Sequence, residues 1–180
     1  GGSSKRNIKN VDLKNNRKNT WGTGLIFNHA IDSIQNVTVA AGFTREISEN
    51  ANNTSLFRNA YGLGLAYNFV HTTYGVDLER QVTKNQGDKR TKNEVRAIVR
   101  QGLNEDWNVY AMYAYKTDKH SNNTDRTRQF MVGTEYYVFN QGSLKVKPFL
   151  EWQATRTKYE NSTVDRSRDF KTVIGLRAYW

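Results

Sequence analysis

The amino-acid sequence predicts an all-β fold, an up-and-down antiparallel transmembrane β-barrel of about ten strands, with eight and twelve as the neighbouring counts. Three observations predict it. Apolar residues alternate with polar or small ones at period two along nearly the whole chain, which is the signature of strands. The two alternating faces differ in volume, one bulky and apolar, the other small or charged. The polar connections alternate in length, as in a meander with one short-turn rim and one long-loop rim.

In chain order, Trp21, Thr23, Leu25 and Phe27 oppose Gly22, Gly24 and Ile26, and Val37, Val39, Ala41 and Phe43 oppose Thr38, Ala40, Gly42 and Thr44. Residues 57–69 are clearest: Phe57, Tyr61, Leu63, Leu65, Tyr67 and Phe69 oppose Arg58, Ala60, Gly62, Gly64, Ala66 and Asn68. The rhythm continues through 74–79, 94–100, 107–116, 129–138, 144–154 and 171–180, nine strands in all. A weaker strand at 6–14, carrying Val11 and Leu13 on one face, would make ten and set both termini on the short-turn rim. Residues 1–5 are expected to be a disordered linker and 6–180 a single barrel domain. Long polar connections are expected near 15–20, 48–55, 83–93, 117–127 and 158–168, and short ones near 30–35, 69–73, 103–106 and 140–143.

Volume decides which face is inside. A ten-stranded interior is only slightly wider than the eight-stranded one that side chains fill. It has no room for the bulky face of residues 57–69, let alone that of every strand. Small residues belong on the concave side: Gly22, Gly24, Ala40, Gly42, Ala60, Gly62, Gly64 and Ala66 cluster on three consecutive strands. The bulky face therefore points outward, to lipid. A soluble barrel or sandwich, the competing reading, would bury it. Trp21, Tyr74, Trp107, Tyr115, Tyr136, Trp152, Tyr159 and Trp180 gather toward strand ends, as rings do at a water–lipid boundary. Closure pairs every backbone group in lipid, and a single Pro suits a chain made of strands.

Composition removes other classes. No apolar run reaches the ~18 residues of a membrane helix, and mean hydropathy is −0.81. Without Cys there is no disulfide scaffold, Cys-ligated zinc or thiol nucleophile. The start, GGSSKR, lacks an apolar signal core, as in a mature or cytosolic chain. No metal or cofactor is expected, since no His–His–carboxylate spacing occurs and the glycines at 62 and 64 sit within a strand with no helix after them. Of the three histidines, His29 and His71 fall at strand ends, and His120 lies near Asp118 and Ser121 without a second carboxylate pair or a defined nucleophile. An enzyme is not expected. The net charge of +10 also suits nucleic acid, but the basic residues are spread over every loop and no nucleic-acid partner is expected.

The predicted inner face carries Arg58, Arg96, Arg100, Lys116, Lys145, Lys147, Lys171 and Arg177 against Asp77, Glu79, Glu94, Glu135 and Glu151. Such a wall would select small anionic solutes at close quarters. Arg–Glu pairing would instead plug it, with Glu79 near Arg96 or Arg100 and Glu151 near Lys171 or Arg177. Arg17, Lys18, Lys84, Lys89, Arg90, Lys92, Lys119, Arg126, Arg166 and Arg168 fall in or beside the long loops, where polybasic clusters bind anionic head groups.

The terminal segment Gly175-Leu176-Arg177-Ala178-Tyr179-Trp180 resembles the last strand of bacterial outer-membrane β-barrels, which ends on an aromatic, usually Phe where this chain has Trp. The strand rhythm over about 20–180, with Arg and Lys on the inner face, is similar to the small monomeric oligogalacturonate and sialic-acid porins, the KdgM-like family. That family has twelve strands. The resemblance implies a monomeric porin of the Gram-negative outer membrane, with periplasmic turns and extracellular loops, passing acidic oligosaccharides. It implies Gly175, Leu176, Ala178 and Trp180 as a signal read by the barrel-assembly machinery, and outer-membrane lipid and lipopolysaccharide as partners. The alternative is a non-conducting anchor or adhesion barrel, or an autotransporter translocator domain.

Overall fold

The computed structural model describes residues 2–5, 17–49, 55–85, 87–121, 123–141, 144–160 and 166–179. The expected strand at 6–14 and the terminal Trp180 lie outside these described residues.

Each period-two segment forms a strand: β2 (Arg17–Ala30), β3 (Gln35–Glu49), β4 (Ser55–Phe69), β5 (Thr72–Asn85), β6 (Asp88–Gly102), β7 (Trp107–His120), β8 (Asn123–Tyr136), β10 (Leu144–Lys158) and β11 (Arg166–Tyr179). Two short strands join them, β1 (Gly2–Lys5) and β9 (Phe139–Gln141). All pair antiparallel in one sheet, in chain order from β1 to β11, with β9 set beside β10 off the main path. Residues 2–5 pair with Arg17 to Thr20 on the edge of β2. Among the described residues no ladder joins β11 back to β1 or β2.

The nine long strands run 14 or 15 residues each, more than the ~9–11 tilted residues a bilayer requires. The surplus corrects the loop expectation. Connections 83–93 and 117–127 are not loops but ladders: Thr83 pairs Arg90, Lys84 pairs Lys89, Asp118 pairs Asp125 and Lys119 pairs Thr124. Ladder hydrogen bonds join backbone groups and are indifferent to side-chain polarity, so a polar hairpin leaves no hydrophobic alternation to read. Gly87, at φ 91°, supplies the left-handed position at one tip, and Ser121, at φ 49°, does so at the other.

The short rim carries strain and a break. The turn between Phe69 and Thr72 holds Val70 at φ 52°, a costly place for a β-branched residue. Pro148 sits where the β8 ladder has stopped at Phe149 and β9 has taken over at Val146, so its missing N–H removes nothing there.

Among the described residues no second layer lies over the sheet, yet its faces differ. Ala114, Glu135 and Lys147 are 0, 1 and 6% exposed on one face, whereas Leu65 and Ile174 are 50 and 79% exposed on the other. One sheet can cover one of its own faces only by curling around it. Ala114 is the sole buried apolar residue among the described residues. The inner face is charged or small and the outer apolar, the reverse of a soluble core.

Candidate functional site

The inner face converges on Glu135, near the short rim. Its carboxylate accepts Lys147 Nζ at 3.0 Å and Arg177 Nη1 at 3.1 Å, and also pairs with Arg100. Arg177 is shared: Nη2 donates to Glu151 at 2.7 Å. Tyr110 Oη donates to the same Glu151 oxygen at 2.6 Å. Lys147 also stands over the Tyr137 ring, 4.9 Å from its centre. Sidedness places these groups together, but only curvature lets β6 reach β8 and β11 reach β8 across an intervening strand. Of the expected pairs, Glu151–Arg177 forms. Glu79 pairs with neither Arg96 nor Arg100, and Lys171 does not reach Glu151.

Two glycines make the cluster possible. Tyr110 lies opposite Gly133, and a Cβ there would fall 2.5 Å from the ring. The ring therefore crosses β8 over Gly133 to reach Glu151 on β10. Phe149 lies over Gly175 in the same way, with a Cβ 2.5 Å from its ring, and the Arg177 guanidinium stacks on it at 4.1 Å. Gly175 thus has a packing role of its own. Tyr110, Phe149 and Gly133 were not singled out from sequence, and a large residue opposite a glycine on adjacent strands was the available signal.

The opposite wall is bare. Gly42, Gly62 and Gly64 with Asp77, Glu79 and Arg96 border a cavity of about 600 Å3. A Cβ at Gly62 would meet nothing within 4 Å. Among the described residues Asp77 and Glu79 form no ion pair, and Lys145 and Lys171 likewise stand alone. Between the walls, Glu94 holds Lys116 at 3.3 Å and Arg96 at 3.5 Å, and Arg58 reaches Glu46 at 3.7 Å.

Cations expected in loops divide between the faces. Lys18, Arg90 and Lys92 turn inward and pair, Lys18 with Glu46 at 3.0 Å and the other two with Asp118. Beyond the apolar belt, Arg90 grips Asp118 with Nε at 2.7 Å and Nη2 at 2.5 Å. That hydrogen bond holds the Asp118 carboxyl below its usual range, against the opposing effect of burial. Asp118 is therefore engaged by arginine and does not orient His120, which ends β7. On the outer face, strands β4 to β8, β10 and β11 hold Arg80, Lys84, Lys89, Lys119, Arg126, Arg128, Arg156, Lys158, Arg166 and Arg168 but no Asp or Glu. All of them lie on the same side of the apolar belt, toward the rim opposite the Val70 turn.

Neither a scan against protein-family models nor a search of the curated proteins returns a match.

Proposed function

We propose that this chain is a monomeric β-barrel of the Gram-negative outer membrane that forms a narrow passage for small solutes, with a weak preference for anions. The observation that carries it is the inversion of the sheet: one curled layer with buried charge inside and a continuous apolar belt outside. In water that belt has no partner; in lipid it is solvated and the inner charges keep their water and counter-charges. Lipid also forbids free strand edges, so the sheet closes by pairing the outer edge of β11 with its opposite end.

The passage runs along the Gly42, Gly62 and Gly64 wall, because the β6–β11 wall is filled. Its charge is mixed. Arg100, Lys147 and Arg177 outnumber the two carboxylates they hold, while Asp77 and Glu79 oppose them at the bare wall. Hence the preference for anions is weak. The likeness to KdgM-like porins supports acidic oligosaccharides as a solute class, and Leu176 and Ala178, outward on β11, suit a terminal strand read by the assembly machinery.

Unboiled protein on an SDS gel should migrate faster than boiled protein. In planar bilayers a salt gradient should give a small conductance whose reversal potential reports anions over cations. Clear cation preference overturns the selectivity, and loss of the gel shift overturns the barrel. A second reading, a non-conducting anchor, is favoured by the Glu135–Glu151 network itself, which ties β6, β7, β8, β10 and β11 together. A heat-modifiable barrel silent in bilayers selects it.

A further inference from the structure

The outer face carries a second built feature at the upper end of β8, β10 and β11. The register sets Arg128 opposite Arg156 and Arg156 opposite Arg168, then Arg126 opposite Lys158 and Lys158 opposite Arg166. Six cations form a grid of two rows across three strands. All six are exposed, and among the described residues none forms an ion pair. Like charges directly opposite one another across strands destabilise a sheet. Here the repulsion occurs twice in each row, with no carboxylate on the outer face of these strands to relieve it.

Immediately below, at the same outward positions, stands an aromatic row. Phe130 and Trp152 meet at 6.5 Å between ring centres, and Trp152 stacks on Phe170 at 6.1 Å. Two residues of strand, about 7 Å, separate Phe130 from Arg128 and Phe170 from Arg168, and four separate Trp152 from Arg156. Arg126, Arg128, Arg156, Lys158 and Arg166 border a hollow of about 270 Å3. Aromatic rings at the edge of an apolar belt with guanidinium forks just above match a molecule whose apolar body is capped by phosphates.

We propose that this grid is a binding site for a phosphorylated glycolipid, its phosphates bridging the opposed cations and its sugars lying on the Phe130–Trp152–Phe170 row. The proposal rests on the belt facing lipid and names one partner of that reading. Docking of a second copy on the same face is disfavoured, since the outer positions of β4 to β8, β10 and β11 offer the grid no carboxylate.

The test uses the full chain folded in neutral detergent, with native mass spectrometry as readout. Probes are an acylated glucosamine disaccharide bearing two phosphates, its dephosphorylated form, and inorganic pyrophosphate. The phosphorylated lipid should bind at least about tenfold more tightly than the dephosphorylated one, and R128Q/R156Q/R168Q should lose about tenfold. K84Q/K89Q, cations outside the grid, should bind as the parent does. Equal binding of both lipids, an unchanged triple variant, or displacement of the lipid by equimolar pyrophosphate overturns the proposal. The gel shift and bilayer conductance are read on the same samples. If both persist while lipid binding ignores the phosphates, this site alone fails. If the gel shift is absent in the parent chain, the barrel fails and the lipid site with it.

Discussion

Strands β2 to β4 and strands β6 to β11 follow one alternating rule and reach opposite results. In the first group the middle of the inner face holds Gly and Ala, and the wall there is open. In the second the inner positions hold Arg, Lys, Glu and Tyr, and the wall is filled to the point of burying a carboxylate. The backbone is the same ladder throughout. In a curled sheet, side-chain volume on the concave face decides where space is left, and charge decides whether the filled part holds together.

The largest effect that tests this contrast is at Glu135. Removing it takes the carboxylate from Arg100 and the buried Lys147 and leaves Arg177 with Glu151 alone, so Glu135→Ala should cost ~3–5 kcal/mol in urea unfolding of detergent-folded protein. A loss below ~1 kcal/mol, the range of exposed pairs, would show the filled wall to be solvated like the open one. Next comes Gly133→Ala. Its methyl would collide with Tyr110 and release the bond to Glu151, for ~1–3 kcal/mol. At the open wall the same kind of change should act on flow instead of stability. A Cβ at Gly62 meets nothing within 4 Å, so Gly62→Leu should shift unfolding by less than ~0.5 kcal/mol, while bilayer conductance falls. Unchanged conductance would move the passage elsewhere.

Two smaller effects lie at the ends of the strands. Val70→Gly removes a left-handed β-branched residue and should raise stability by ~1 kcal/mol. The Asp118 carboxyl titrates below its unfolded value, so its stabilisation is complete above the ordinary carboxylate range and is lost only as pH falls through the lower folded value. Hydrogen exchange where the start of β6 pairs with the end of β7, around Arg90 and Asp118, should therefore stay slow into mild acid, and Arg90→Gln should remove that persistence.

Much of this was legible from residues. All nine alternating segments are long strands, and the inner and outer assignments follow from parity. What escaped had no pattern to carry it. The polar stalks at 83–93 and 117–127 lack an apolar face, so pairing there leaves no trace in hydropathy. Glu151–Arg177 was within reach because β10 and β11 are neighbours. Arg100–Glu135 was not, because it skips a strand and exists only through curvature. Tyr110 over Gly133 needed a register.

The surplus of positive charge shows the same division. The sequence by itself determined how many cations there are and on which parity each falls, because alternation is a local property of the extended chain. It placed part of the surplus inside and the rest in loops. Only the tertiary structure showed the inner cations pairing with carboxylates from distant strands, and the outer ones aligning, unopposed, along one edge of the belt. The reason is physical: an ion pair across a curled sheet depends on register and curvature, which belong to the assembled ladder and to no single segment of it.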